Sequence, residues 1–116
     1  MKNPVMVASG TFGYGVEYSE LVKSDEIGAI ITKTLTLEPR EGNPQQRIME
    51  TASGMINSIG LENVGVKKFL EEKLPALQKV TNTAIIVSIG GKTKKEYIDI
   101  VSALNGEKGI SAVELN

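Results

Sequence analysis

A lysine and an asparagine stand out as residues that could act on a small ligand. Lys33 comes directly after the apolar, β-branched run of residues 29–32, where a buried strand is predicted to end. A long polar segment, called the excursion below, runs from Lys33 to the predicted helix that carries Val66. Asn57 lies in it between apolar neighbours, shortly ahead of Gly60. So long a segment without regular structure is uncommon in a compact domain unless it forms a site. Charge, amides and backbone donors beyond one strand end therefore predict recognition of a small, planar, anionic ligand.

The elements that must position these residues follow one repeating pattern. Short apolar runs predict strands at residues 5–8, 29–32, 84–89 and 111–115. After the first strand, a glycine-rich turn leads to a short predicted helix with one apolar face, formed by Tyr18, Leu21 and Val22. Strands that are apolar on both faces and alternate with helices indicate a parallel sheet of βα units.

Two longer helices are predicted from the spacing of apolar residues. The first carries Val66, Phe69, Leu70, Leu74 and Leu77, and Pro75 is expected to kink or restart it near its end. The second begins at a T-x-x-E capping box formed by Thr93 and Glu96. Its predicted buried stripe consists of Tyr97, Ile98, Val101 and Leu104.

Two α/β architectures compete for this pattern, a doubly wound open sheet and a (β/α)8 barrel. The glycine-rich turn at residues 10–15 reads G-x-x-G-x-G, which differs from the dinucleotide fingerprint, and a lysine ends the second strand where an acidic residue would hold a ribose. A barrel fits better because catalytic groups gather at the carboxyl ends of its strands. The predicted strand ends carry Ser9, Lys33, Ser88 and Asn116.

A complete barrel needs about 250 residues. The sequence therefore predicts the N-terminal half of a TIM-type (β/α)8 barrel, about four βα units, as a single truncated domain over residues 1–116. Such a half-barrel would leave strand edges unpaired, so we expect it to self-associate or misfold by itself.

Composition excludes several classes of protein. The formal net charge is -1 and 41% of the residues are apolar, so the composition does not indicate binding to nucleic acid or to an anionic membrane. It has neither cysteine nor histidine, so no disulfide framework and no metal site are predicted. No signal-peptide core or membrane span is evident, and a cytoplasmic protein is expected.

Four motifs together resemble those of the dihydroorotate dehydrogenase family. They are N-P-V-M-V-A-S-G-T-F-G-Y-G at 3–15, T-K-T-L-T-L-E-P-R-E-G-N-P at 32–44, G-M-I-N-S-I-G-L at 54–61 and V-E-L-N at 113–116. Their order and spacing are most similar to the class 1B catalytic subunit. The resemblance implies an FMN-dependent barrel that oxidises dihydroorotate to orotate in pyrimidine synthesis.

The resemblance also implies roles for individual residues. The residues expected to contact FMN are Ser9, Lys33, Thr34, Ser88 and Asn116. Ser88 stands where the family usually carries asparagine, and its hydroxyl can still donate one hydrogen bond. The residues expected to hold dihydroorotate or orotate are Lys33, Asn57, Ser58, Ile59, Gly60, Leu61 and Asn116.

The chemistry of the reaction suits these residue types. Negative charge develops on the pyrimidine and on the reduced flavin, and the Lys33 ammonium is expected to stabilise it as an electrostatic catalyst. Asparagine amides match the alternating donors and acceptors of a pyrimidine edge. The general base of class 1 is the cysteine of an N-I-S-C-P-N motif, and Asn116 matches the first residue of that motif. We therefore expect residues 1–116 alone neither to hold FMN tightly nor to turn over.

Several alternatives stay open on the sequence. The chain could be a non-catalytic fragment or degenerate homologue that serves only as a folding or interaction unit, or a related pyrimidine-reducing flavin barrel. Class 1B resemblance implies access to NAD through a partner subunit that carries FAD and an iron–sulfur cluster. Class 1A enzymes instead use fumarate as homodimers, and a homo-oligomer is expected in either class. Arg40 and Arg47 are expected to hold the long excursion in place through Glu38, Glu41 or Glu50.

Overall fold

The computed structural model describes residues 1–20, 23 and 26–116. In chain order, its strands are β1 (Met6–Val7), β2 (Ala29–Ile31), β3 (Ile48–Thr51), β4 (Gly54–Asn57), β5 (Ala84–Ile89) and β6 (Ile110–Leu115). Its helices are α1 (Gly65–Lys68), a π-helical segment (Phe69–Lys73), α2 (Leu74–Val80) and α3 (Lys94–Leu104).

Four of the strands form one parallel sheet in the order β1-β2-β5-β6. All three strand pairs are parallel, with Met6 beside Ala29, Ile30 beside Ile85 and Val87 beside Val113. The predicted α/β fold with a parallel sheet is confirmed. The spatial order of these strands follows the chain without a reversal, so the described sheet contains no topological switch point of the kind that binds nucleotides in doubly wound folds.

The long excursion after β2 contains an antiparallel hairpin that the sequence analysis missed. Strands β3 and β4 pair from Ile48 opposite Asn57 to Thr51 opposite Gly54, apart from the main sheet. Its tight turn lacks the Asn-Gly or Asp-Gly pair that usually signals a hairpin. Both strands are exposed, so burial leaves no alternating pattern in the sequence.

Pro75 lies in the first turn of α2, as predicted from the restart of the helix. Proline has no N–H to donate to the preceding turn, and the segment just before it widens into a π-helix over Phe69–Lys73. The helix thus continues past the proline, and Phe69, Leu74 and Leu77 all face the core.

The predicted buried face of α3 is partly wrong. Thr93 caps the helix by accepting the Glu96 N–H at 3.2 Å, while the Glu96 carboxylate reaches Lys92 N at 2.7 Å. Ile98 and Val101 are 53% and 40% exposed. The buried stripe instead consists of Tyr97, Ile100 and Leu104, of which Tyr97 is half-buried. Apolar residues occur on nearly every side of this helix, so periodicity alone could not select the face that packs on the sheet.

The hydrophobic core lies between the sheet and the helices that cover it. Its largest completely buried apolar side chains are Phe69, Ile30, Leu35, Leu77, Ile89, Ile100 and Val87. Residues 16–20 form turns instead of the predicted helix, and Tyr18 stacks on Phe12 with the ring centres 5.2 Å apart. Leu21 and Val22, predicted on the same helical face, lie outside the described residues. In the described residues, no helix is both long and apolar enough to cross a membrane.

Candidate ligand-binding site

The segment that follows β2 bulges at the carboxyl ends of the strands. Thr32 N donates to Ile86 O (3.0 Å) and Leu35 N donates to Ser88 O (2.8 Å), so this segment advances by one residue more than β5 between the two bonds. The Thr32 hydroxyl accepts the Ser88 N–H at 3.3 Å in place of a backbone carbonyl. A β-bulge of this kind re-aims the side chains beside it and is a recurrent feature of active sites.

Lys33 and Thr34 occupy the bulge. Lys33 N donates to Gly13 O at 2.7 Å, which joins the bulge to the glycine-rich turn after β1. The Lys33 side chain is half-buried, and among the described residues no carboxylate lies within ion-pair distance of its ammonium. Its positive charge is therefore available to an anionic ligand.

A cleft of about 560 Å³ lies at this edge of the sheet. Its volume falls within the usual range for small-molecule sites. Its walls are formed by Ser9, Gly10, Thr11, Lys33, Thr34, Asn57, Ser58, Ile59, Gly60, Leu61, Glu62 and Asn116. The structure thus brings together every predicted substrate- and cofactor-binding residue except Ser88. Their individual roles toward a ligand stay predictions.

Three residues of the cleft wall were missed by the sequence analysis, namely Gly10, Thr11 and Glu62. Gly10 and Thr11 directly follow Ser9, so their position at a strand end was a usable signal. Glu62 carried no such signal, because it does not stand at a predicted strand end, and in the structure its carboxylate forms an ion pair with Arg47.

The return of the long excursion forms one wall of the cleft and is held by side chains from its outgoing half. Asn43 N donates to Ile59 O at 2.9 Å, and its side-chain amide donates to Ser58 O and Ser58 Oγ, both at 2.9 Å. Ser58 N donates to Arg47 O at 2.8 Å. Residues 57–61 are therefore fastened from behind, which leaves their other side facing the cleft.

Gly60 and Leu61 both adopt a positive φ, of +78° and +57° respectively. A Cβ on Gly60 would lie 2.8 Å from three atoms of Asn43. Position 60 therefore requires glycine for two reasons besides close approach to a ligand, namely the contact with Asn43 behind the wall and the positive φ. Leu61 is the non-glycine residue with positive φ among the described residues, and such strain tends to occur at ligand sites.

Arg47 pins the excursion, but its partners differ from those predicted. Its guanidinium pairs with the carboxylate of Glu62 and donates to the backbone carbonyls of Glu41 and Asn43 at 3.2 Å each. Within the described structure, none of the predicted carboxylate partners, at Glu38, Glu41 or Glu50, forms an ion pair with Arg47 or with Arg40. Because the excursion folds back on itself, the Arg47 guanidinium pairs with Glu62, although the three predicted partners are closer to Arg47 in sequence.

Ser88 does not line the cleft but lies directly behind it. Its side chain is completely buried, and its Oγ lies 3.0 Å from Thr34 Oγ1. The side-chain amide of Asn116 donates to the same Thr34 Oγ1 at 3.1 Å, and Asn116 N donates to Ile89 O at 2.9 Å. The carboxyl ends of β5 and β6 are thereby linked through the hydroxyl of Thr34.

The remaining polar groups of the cleft keep their hydrogen-bonding capacity. In the part of the chain that the structure describes, the side chains of Ser9, Lys33 and Asn57 have no hydrogen-bond partner. A hydroxyl, an ammonium and an amide together offer several donors and two acceptor atoms, the hydroxyl oxygen and the amide oxygen. This donor set matches a planar, carbonyl-bearing, anionic ligand. No three His, Cys, Asp or Glu side chains group into a metal site among the described residues.

Comparison with known proteins identifies the family of this chain. The family model described as dihydroorotate dehydrogenase matches residues 1–116. This chain belongs to the dihydroorotate dehydrogenase family. The resemblance carried by the four sequence motifs is therefore confirmed over the whole chain.

Curated relatives of this chain bear the name dihydroorotate dehydrogenase B (NAD(+)), catalytic subunit. The protein from Endomicrobium trichonymphae is 53% identical over 116 residues, which are 100% of this chain and 38% of the relative. The protein from Geobacter sulfurreducens is 52% identical over the same span and coverage. The protein from Thermodesulfovibrio yellowstonii is 52% identical over 115 residues, 99% of this chain and 38% of the relative. The chain thus spans 38% of the length of these relatives.

Proposed function

We propose that the protein to which this chain belongs oxidises dihydroorotate to orotate in pyrimidine synthesis with FMN as its cofactor. The observation that carries the proposal is the cleft, where residues from three strand ends and one loop meet. Family membership and the names of the relatives point to the same reaction.

The sheet supports a proposal for the whole domain. The four parallel strands follow one another in chain order, as successive βα units of a barrel do, and the polar side chains lie at their carboxyl ends. We propose that residues 1–116 form the N-terminal half of a TIM-type (β/α)8 barrel that binds flavin.

The cleft fits a flavin by the chemistry of its donors. Ser9, Lys33, Thr34 and Asn116 present two hydroxyls, an ammonium and an amide along the sheet edge. An isoalloxazine ring carries carbonyl oxygens and ring nitrogens that accept hydrogen bonds from such groups. When bound there, FMN would supply the hydride-accepting chemistry of the reaction. Ser88 would act on it only through Thr34, because Ser88 lies behind the cleft wall.

The loop wall fits the substrate. Asn57 offers an amide that can pair with the alternating C=O and N–H groups of a pyrimidine, and residues 58–61 add backbone groups. Lys33 lines the same cleft as this loop and is free of carboxylate partners among the described residues. Its ammonium would pair with the substrate carboxylate and stabilise negative charge that develops during oxidation.

We propose that this chain relies on residues outside 1–116 for the proton transfer of the complete reaction. It has no cysteine and no histidine, so neither side chain can take up the substrate proton here. The relatives are named as NAD(+) enzymes with a catalytic subunit. We therefore propose that NAD is reached through a second subunit carrying FAD and an iron–sulfur cluster, and that the catalytic subunits form a homo-oligomer.

The test uses a hybrid protein in which residues 1–116 replace the matching segment of the Endomicrobium relative. FMN affinity is measured by flavin fluorescence, and dihydroorotate oxidation is followed with an artificial electron acceptor. We expect FMN binding and turnover within about tenfold of the unaltered relative, because the substituted segment supplies the same cleft. A hybrid that melts cooperatively but binds neither FMN nor orotate would contradict the proposal. Flavin bound stoichiometrically by the 116-residue chain alone would contradict the expectation that this half does not suffice.

A further inference from the structure

The hydroxyls of Thr34 and Ser88 form a hydrogen bond whose direction can be assigned from the surrounding groups. Ser88 is completely buried, and Thr34 Oγ1 is the one hydrogen-bond partner of its side-chain oxygen among the described residues. A buried hydroxyl whose proton has no acceptor is unfavourable. The Ser88 O–H therefore donates to Thr34 Oγ1.

The Thr34 oxygen then has both of its acceptor positions filled. It receives the Ser88 proton at 3.0 Å and an amide proton of Asn116 at 3.1 Å. A hydroxyl oxygen has two lone pairs and one proton of its own. Of the hydrogen-bonding capacity of the Thr34 hydroxyl, only its own proton is still to be used. Thr34 lines the cleft.

Packing holds the Thr34 side chain in this orientation. A Cβ built on Gly90 would lie 3.1 Å from the Thr34 methyl group, so the methyl already lies close against the Gly90 backbone. Threonine is branched at Cβ and has few χ1 choices, so fixing the methyl also fixes the hydroxyl oxygen. The oxygen is thus kept between Ser88 and Asn116, with its proton directed elsewhere.

We propose that Ser88 is a positioning residue that makes Thr34 a hydrogen-bond donor to a carbonyl oxygen of the bound ligand. This inference rests on the proposed function, since flavin and pyrimidine both carry such carbonyl oxygens. Ser88 touches neither ligand and acts through the Thr34 hydroxyl. Without the Ser88 proton, one lone pair of Thr34 Oγ1 is left without a donor, so the Thr34 proton can rotate into that direction and is no longer confined to the cleft.

A double-mutant cycle in the hybrid protein tests this role. Ser88→Ala removes the buried donor, and Thr34→Val removes the Thr34 hydroxyl at nearly constant volume. Dissociation constants for FMN and for orotate are measured separately by fluorescence and absorbance titration, and melting temperatures show that each variant folds. Ser102→Ala, the same change at an exposed position of α3, is the matched control.

We expect Ser88→Ala to weaken binding of the ligand that receives the Thr34 proton by about 2- to 5-fold, less than the loss of a whole neutral hydrogen bond, because the Thr34 proton is still present but is no longer held toward the ligand. The same substitution made in the Thr34→Val background should have no further effect, and Ser102→Ala should change neither constant. Weaker FMN binding would identify a flavin carbonyl as the acceptor, and weaker orotate binding a pyrimidine carbonyl.

Equal effects of Ser88→Ala in both backgrounds would overturn the inference, because Ser88 would then act on the fold and not through Thr34. Unchanged affinity for both ligands in the Ser88→Ala variant would overturn it as well. These outcomes differ from failure of the proposed function, which would appear as no binding of either ligand to a folded hybrid with Ser88 and Thr34 intact.

Discussion

Thr36 and Asn63 hold the two ends of the long excursion together through a reciprocal pair of hydrogen bonds. Thr36 N donates to Asn63 Oδ1 at 3.1 Å, and Asn63 Nδ2 donates to Thr36 Oγ1 at 2.9 Å. Asn63 Oδ1 also accepts Gly65 N at 2.9 Å, and its amide donates to Leu61 O at 2.7 Å. Both side chains are buried. One amide thus joins the start of the excursion, the wall of the cleft and the first turn of α1.

Replacing this amide should destabilise the protein. Asn63→Ala in the hybrid leaves the buried N–H groups of Thr36 and Gly65 without an acceptor, and we expect the free energy of unfolding to fall by about 2–4 kcal/mol. Urea unfolding measures the change. Asn82→Ala, at an exposed position, is the control and should cost under about 0.5 kcal/mol. Equal costs for the two variants would show that the buried network contributes nothing.

Gly60 and Gly106 allow a paired test of the cleft wall. Both have a positive φ, of +78° and +85°, but a Cβ on Gly60 meets Asn43 at 2.8 Å whereas a Cβ on Gly106 has no atom within 4 Å. Gly106→Ala should cost only the backbone strain, about 1–2 kcal/mol. Gly60→Ala should also displace the wall, and we expect orotate binding to the hybrid to weaken by about tenfold or more. Similar orotate affinities for the two variants would contradict a role for this packing.

The charge of Lys33 should matter more to the reaction than to the fold. Lys33→Met in the hybrid keeps much of the apolar stem but removes the ammonium, and we expect the turnover rate to fall by about 10²-fold or more. Lys79→Met, at an exposed position of α2, should leave turnover unchanged. Steady-state kinetics and a melting curve separate the two effects. Wild-type turnover by Lys33→Met would rule out electrostatic catalysis by this residue.

Tyr14 should make stability depend on pH at the alkaline end. Burial raises the pKa of the Tyr14 hydroxyl, the hydrogen bond from Val64 N opposes the rise, and the charges of Glu17 and Glu62 add to it. The folded state therefore holds the Tyr14 proton more tightly than the unfolded state does. This contribution is complete below about pH 10, the ordinary pKa, and is lost as the pH rises through the raised pKa of the folded state.

Substitution of Tyr14 isolates that contribution. Tyr14→Phe also leaves Val64 N without its acceptor, so at pH 7 we expect a loss of about 1–2 kcal/mol. The difference in unfolding free energy between wild type and Tyr14→Phe should stay constant from pH 7 to 9 and narrow above about pH 10. Tyr18→Phe, at an exposed ring, serves as the control. A difference that widens with pH would contradict the direction of the pKa shift.

Much of the candidate site follows from the sequence, because each predicted site residue stands at a strand end or in a recognisable motif. Parallel strands place their carboxyl ends at one edge of a sheet, so Ser9, Lys33 and Asn116 had to approach one another once the strands were identified. The helix restart at Pro75 was predictable for a similar reason, since a missing N–H acts locally.

Only the tertiary structure decided how the excursion folds back and which face of α3 is buried. Asn63 lies 27 residues from Thr36, and Ser88 lies 54 residues from Thr34. Contacts over such separations leave no local pattern, because each partner is an ordinary polar residue in its own segment. The sequence by itself determined the residue types at the sheet edge and the family to which they belong. The structure decided that Ser88 lies behind Thr34, because burial and proton direction depend on the packing of all three neighbouring strands.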